Sequence, residues 1–280
     1  MVEPVAERLL LWYARGAALG LLVIRWMQVM ARGRQWLGGL RSGGREPRMV
    51  HSPVRRMWRG LRLTLMRGLG AQRVPDSVCQ PFDLVFTGRL ADRAAREAYR
   101  RGCHQPELTR FIMQNVRMLP GDLAIDAGAD IGWCALVLDR LCVPGADVFA
   151  FESDRERFRI LLYNMHRNHA AYVTPVNGAI AEAPRGLGGR QVRFLKIDVS
   201  GYDYFKLHGA ITLLQHCPYV SLQFSAHHLR AAEVDPARVI SAMSGFRVRQ
   251  WVDGSFIPLS PPELSDSKRV YDLLLTKRGG

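Results

Sequence analysis

Lysine is nearly missing from this chain, with 4 residues against 35 arginines, and acids are scarce near its start. Residues 1–73 hold 14 arginines, no lysine and only Glu3, Glu7 and Glu46, which places +11 of the net +14 there and leaves +3 for the rest. The globular part is thus close to neutral, and no aromatic residues interleave with basic ones as they do in single-strand binders. Nucleic acid is therefore not the partner this charge balance points to. The five cysteines (Cys79, Cys103, Cys134, Cys142, Cys217) form no Cys-x-x-Cys pair and no ligand spacing, so they read as reduced thiols of a cytoplasmic protein, and no metal is implied. No Gly-x-Gly-x-x-Gly run occurs, which removes the dinucleotide fingerprint, and no hydride-transfer constellation accompanies it. A secretory signal is not expected either, because acids precede the first apolar run and no small-x-small site follows it.

What is present begins with that apolar run, residues 9–30. At about 1.5 Å per residue it just matches a bilayer of roughly 30 Å, but Arg15 would then lie deep inside. On a helical wheel Glu3, Glu7, Arg8, Arg15, Arg25 and Arg32 gather on one side, and Trp12, Val23, Trp26, Met27 and Met30 on the other. Three readings stay open: a helix packed on protein, a helix lying in the membrane interface, or a span. The expected organisation is an amphipathic N-terminal helix over 1–34, a basic Arg/Gly-rich linker with a short helix over 35–75, a helical lead-in over 76–118, and an α/β domain over 119–280. Within the linker Val54–Leu69 reads as the short helix; within the lead-in Ala91–Arg101 and Thr109–Met118 do.

From Leu123 onward short apolar strands alternate with helices. Strands are expected at Leu123–Asp126, Asp147–Phe151, Val173–Ile180, Arg193–Val199, Tyr219–Phe224, Arg247–Trp251 and Tyr271–Thr276. Helices are expected at Gly132–Leu141, Arg155–Arg167, Tyr204–Gln215 and Asp235–Met243. Such alternation builds a mostly parallel, Rossmann-like sheet with helices on both faces and a ligand at the carboxyl ends of its strands.

The chemistry concentrates at those ends. The first strand runs into Asp126-Ala127-Gly128-Ala129-Asp130-Ile131-Gly132, where small residues admit a ligand to the backbone and a helix start offers free N–H groups. A carboxylate at that tip suits a cationic aminoacyl group better than a pyrophosphate. The second strand ends in Phe151-Glu152, 26 residues beyond Asp126, where a carboxylate can accept hydrogen bonds from both ribose hydroxyls. Each motif alone fits a tight turn or a surface acid; together, on successive strands, they point to S-adenosylmethionine.

The runs GDLAIDAGADIGW, VFAFES and FLKIDVSGYDYFKLHGA resemble the FkbM family of S-adenosylmethionine-dependent methyltransferases over roughly residues 100–280. The resemblance implies a class I methyltransferase fold, with a seven-strand sheet whose last strand is antiparallel, and methyl transfer to a hydroxyl oxygen. It implies that Asp126, Gly128, Ala129, Asp130 and Gly132 line the cofactor loop, that Glu152 takes the ribose, and that Asn177, with Gly178 and Ala179, borders the adenine. Asp198, after the fourth strand, should lie near the sulfonium; it or His227 or His228 would accept the hydroxyl proton, with Trp133 and Tyr202 as candidate aromatic faces. Asp198 also fits a helix cap, and the His pair a surface.

Three positions depart from the family's form: Ser200 and Gln223 stand where acids are usual, and His104-Gln105-Pro106 stands where Tyr-Glu-Pro is common. The stretch between Ile180 and Arg193 is also short, with no room for a helix, so one sheet face should lack cover and be left as a docking patch or filled by the N-terminal arm. The expectation is a methyltransferase acting on a hydroxyl of a glycan, lipid or secondary metabolite, cytoplasmic and peripheral on the inner membrane, with residues 1–60 facing a membrane surface or membrane protein. The competing expectation is a catalytically degenerate methyltransferase-fold subunit of a membrane-associated complex. An NAD-dependent oxidoreductase is a third and weaker one.

Overall fold

In the computed structural model, residues 50–180, 190–198, 213–214, 216–264 and 268–278 are described. All belong to the second of the chain's two compact units, residues 47–280. The helix expected over 1–34, most of the linker, the short crossover, Ser200, Tyr202 and most of the helix expected over Tyr204–Gln215 lie outside the described residues.

Helix α1, Pro53–Gly68, starts where the Ser52 hydroxyl accepts the Arg55 N–H and Pro53 occupies the first turn. It falls where the short helix was expected. The stretch expected to be a helical lead-in holds two helices close to those expected and, before them, a hairpin. Strands β1 (Arg73–Cys79) and β2 (Leu84–Arg89) form an antiparallel hairpin before α2 (Arg93–Arg101) and α3 (Pro106–Asn115). Pro75 disguised it, since a proline demotes a strand; here it sits in the register irregularity between Val74 and Ser77, where no ladder N–H is required.

The main sheet contains β3 (Leu123–Ala127), β4 (Asp147–Phe151), β5 (Val173–Val176), β6 (Val192–Ile197), β7 (Tyr219–Phe224), β8 (Phe246–Val252), β9 (Ser255–Pro258) and β10 (Tyr271–Lys277). Their order is β5-β4-β3-β6-β7-β10-β8-β9. The first five in that order run parallel, and β10 is antiparallel to both β7 and β8. This is the Rossmann-like class I methyltransferase arrangement, with the last strand inserted antiparallel. Among the described residues it has eight strands rather than seven, because Asp253 and Gly254, both at positive φ, turn the chain back to add β9 to the edge.

Period-2 alternation splits the strands between two cores. Ala124, Val148, Ala150 and Phe194 face one side, against α2, α3, α4 (Trp133–Asp139) and α5 (Arg155–Arg167). Leu123, Ile125, Phe151, Leu195, Ile197 and Leu222 face the other, with α6 (Ala226–Ala231) and α7 (Pro236–Ala242). The hairpin is held by two asparagines one turn apart, Asn164 on α5 and Asn168 at its C-cap. The buried Asn164 amide accepts from the Thr87 N–H at 3.1 Å and donates to the carbonyls of Thr87 at 3.1 Å and Ile131 at 2.8 Å. Asn168 does the same for Val85, both bonds 2.8 Å. Each side chain thus replaces a strand partner along the open edge of β2.

Candidate active site

The turn after β3 is fixed by backbone geometry that few residues tolerate. Gly128 has φ +80°, and a Cβ there would stand 1.9 Å from the Asp198 carbonyl oxygen. Its N–H and that of Ala129 both donate to the Phe151 carbonyl at 2.9 Å, while the Asp198 N–H donates to Ala127 at 2.9 Å. The loops after β3, β4 and β6 are thereby clipped together. Gly132, φ +88°, precedes α4 so closely against α5 that a Cβ would meet Leu161 Cδ1 at 2.6 Å.

Glu152 caps this junction. Its two carboxylate oxygens accept the N–H groups of Asp130 and Asp154, each at 2.8 Å, so the side chain is aimed by both neighbouring loops. Each oxygen keeps a further lone pair for a ligand. Withdrawal from water raises the carboxyl above the usual range, and the two backbone N–H groups oppose that rise. Asn177 approaches from the other side: its amide donates to the Glu152 carbonyl at 2.9 Å, as the Gly178 N–H does at 3.1 Å.

A cleft opens here, lined by Gly128, Phe151, Glu152, Asp154, Arg157 and Asp198, with Ala127, Ser153 and Gly178, Ala179 and Ile180 completing it. Three carboxylates against one guanidinium give it a field that favours a cationic ligand and repels a pyrophosphate. Arg157 Nε lies 3.7 Å from carboxylate oxygens of both Asp92 and Asp130. Burial raises Asp130, and Arg157 opposes the rise.

Of the residues expected to touch the ligand, Gly128, Glu152 and Asp198 line the cleft. Ala129, Asp130, Gly132 and Asn177 shape it through backbone geometry and hydrogen bonds. Asp126, expected to line the cofactor loop, is not among the residues lining the cleft. It is fully buried, one oxygen accepting from the Ala135 N–H at 3.0 Å and the other from Lys196 Nζ at 3.0 Å. The pleat turns its side chain towards α4, and in register it stands beside Lys196 on the neighbouring strand. His227 is exposed on α6 beside His228, ring centroids 5.8 Å apart, and is not among the residues lining the cleft. Trp133 is core: its ring stacks on Phe86 at 4.7 Å and its Nε1–H donates to Thr109 at 3.0 Å.

Two groups escaped the sequence reading. Lys196 Nζ holds Asp126, donates to the Gly128 carbonyl at 2.9 Å, and lies 3.7 Å from the Asp198 carboxylate. Burial alone would lower its ammonium; Asp126 and Asp198 outweigh that and hold it above its ordinary value. The signal was a single cation inside an apolar strand, which needs an acid to be buried. The second is Asp272, at the start of β10, opposite Gln223 in register and joined to its amide at 3.4 Å. Desolvation raises this carboxyl, and Asp198 adds to the rise while Gln223 opposes it. An acid thus stands beside the position where Gln223 lacks one. Among the described residues no group of three His, Cys, Asp or Glu side chains is placed to hold a metal ion.

No protein-family model and no curated protein matches the sequence. Among solved structures the chain is similar to an S-adenosylmethionine-dependent O-methyltransferase of Thermotoga maritima, 20% identical with TM-score 0.39, covering 61% of this chain and 65% of that one. It is also similar to a precorrin-6y C5,15-methyltransferase of Geobacter metallireducens, 17% identical with TM-score 0.41, over 61% of this chain and 89% of the other. An rRNA methylase of Streptococcus thermophilus is 11% identical with TM-score 0.44, over 61% and 94%. The fold is defined by the strand order itself.

Proposed function

We propose that the cleft binds S-adenosylmethionine and that the protein is a methyltransferase of FkbM type, acting on a hydroxyl of a glycan, lipid or secondary metabolite at the cytoplasmic face of a membrane, with residues 1–60 meeting that surface or a membrane protein. The observation that carries this reading is Glu152, a carboxylate aimed from a strand tip by the Asp130 and Asp154 N–H groups with lone pairs to spare for two vicinal hydroxyls. A bound S-adenosylmethionine supplies an electrophilic methyl carbon. Glu152 would take its ribose, the wall at Phe151, Ala179 and Ile180 its adenine, and the acidic lining its positive end. Most of the catalysis left to the protein is alignment, and Asp198, at the cleft edge, would receive the hydroxyl proton. Pairing of Asp126 with Lys196 rather than with ligand makes this acid a positioning residue, because Lys196 fixes the Gly128 carbonyl as well.

Calorimetry of the full chain with S-adenosylmethionine and S-adenosylhomocysteine tests the binding, and label transfer from methyl-labelled cofactor to hydroxyl-bearing extracts tests the reaction. Micromolar binding with transfer supports the proposal. Binding without transfer to any acceptor favours the degenerate subunit, and no binding at millimolar ligand removes both the cofactor and the activity.

A further inference from the structure

Helix α1 carries its apolar residues on the wrong side for a core. Val54, Met57, Trp58, Leu61, Leu65 and Leu69 recur at three- and four-residue spacing and are 41–70% exposed. The opposite face is already docked: Leu63 is buried, and the Arg59 guanidinium bonds to the Tyr99 carbonyl and lies 4.7 Å over its ring on α2. The stripe is therefore not what attaches α1 to the domain.

Its borders are all of one sign. The helix holds Arg55, Arg56, Arg59, Arg62 and Arg67 and no acid. Exposed Arg55 and Arg62 flank one edge of the stripe. Along the other edge Gly60, Thr64 and Arg67 open onto a groove shared with Arg93, Arg96 and Arg100 of α2. Its one acid, Glu97, is taken up by Arg101 and His104. The side chains of Arg67 and Arg100 have no hydrogen bond or ion pair among the described residues.

We propose that this face of α1 lies in the plane of an anionic lipid surface, with the stripe among acyl chains and the bordering arginines on headgroup phosphates. Charge selects this occupant over the alternatives. A second copy would bring basic borders against basic borders, and residues 1–49, with eight arginines and three acids, carry the same sign. At about 1.5 Å per residue the 16-residue helix is some 24 Å long, too short to span, and no helix among the described residues is long and apolar enough to cross a membrane. The stripe of α1 and the basic groove would make this contact whether or not the cleft transfers a methyl group.

The test is co-sedimentation of the full chain with phosphatidylcholine vesicles, with or without roughly a third phosphatidylglycerol. Binding should be at least about tenfold tighter to the anionic vesicles, and L61S/L65S should weaken it at least about tenfold. R55Q/R62Q should lose part of the preference and flatten the salt dependence. S-adenosylhomocysteine titration and far-UV circular dichroism check that the variants remain folded, and they separate this result from the cofactor reading. Brominated lipid should quench a fluorescence component of the unaltered chain that W58F lacks. Vesicle binding that L61S/L65S leaves unchanged assigns the contact to residues 1–46 and overturns the proposal. So does a Trp58 component that brominated lipid leaves intact, or a dimer that dissociates on the same substitution with no lipid binding.

Discussion

Replacing Lys196 by Met keeps the length of the side chain and removes its charge, leaving Asp126 fully buried with only the Ala135 N–H. Removing one partner of a buried pair costs about 3–5 kcal/mol, because the remaining charge is uncompensated. For a folded unit of this size, about 2–4 °C of melting temperature accompany each kcal/mol, so K196M should melt roughly 6–20 °C lower at neutral pH. The sign of its pH dependence follows. Burial already pushes Asp126 up, and without the ammonium it rises further above its unfolded value, so the folded variant binds a proton the unfolded chain releases. The deficit should shrink as pH falls from 7 towards 4, where the acid is neutral. The double variant D126N/K196M keeps an oxygen for the Ala135 N–H with no charge to bury, and should recover all but about 1–2 kcal/mol. Urea unfolding of the parent and the variants at pH 7 and pH 5 reads all of this. K196M within about 1 kcal/mol of the parent, or a double variant no better than the single one, would refute the assignment of the pair as the clamp of the cleft.

G128A should lose upwards of about 2 kcal/mol, since it adds a left-handed Cβ and a 1.9 Å contact with the Asp198 carbonyl, and differential scanning calorimetry checks it. N164L leaves the Thr87 N–H and two carbonyls unanswered in the core; about 3 kcal/mol should be lost, with amide exchange accelerating first in β2. Acid should weaken the fold in two stages. His51 is lowered to about 4 by burial and by Arg59 and Arg55, so stability is lost as pH falls from 6.5 to about 4, where only the unfolded chain takes the proton. For Glu97 burial opposes the shift, but the hydrogen bond to His104 and the contact with Arg101 lower it to about 2, so its contribution, complete above 4.5, is lost as pH falls towards 2. H51F should remove the first stage from a stability–pH profile and E97Q the second.

Much of the α/β framework was legible because its strands are short apolar runs between clear stops. Asp147–Phe151, Arg155–Arg167 and Tyr219–Phe224 end where the sequence reading placed them. The hairpin was not, because Pro75 hides a strand whose bulge makes the proline harmless, and its edge is completed by Asn164 and Asn168 from a helix 77 and more residues away. The strand β9 has one local signal, the Asp253-Gly254 turn, but its short flanks lack the apolar run that marks the other strands. In the cleft, Gly128 and Glu152 were legible as types: a turn needing positive φ and an acid at a strand tip. Asp126 was an acid at a strand tip too, and spacing along one chain does not say which side of the sheet it faces. The residue that decides it, Lys196, is 70 positions away and comes alongside only through the parallel register of β3 and β6.

The claim on which the functional reading stands is that the Glu152 carboxylate holds a ribose. Titrating S-adenosylhomocysteine into the full chain and into E152A measures it directly, with circular dichroism to confirm the fold. Two hydrogen bonds to a charged acceptor, each worth about 1.5–3 kcal/mol, predict that E152A binds at least about a hundredfold more weakly. Equal affinity in the two proteins would contradict the account.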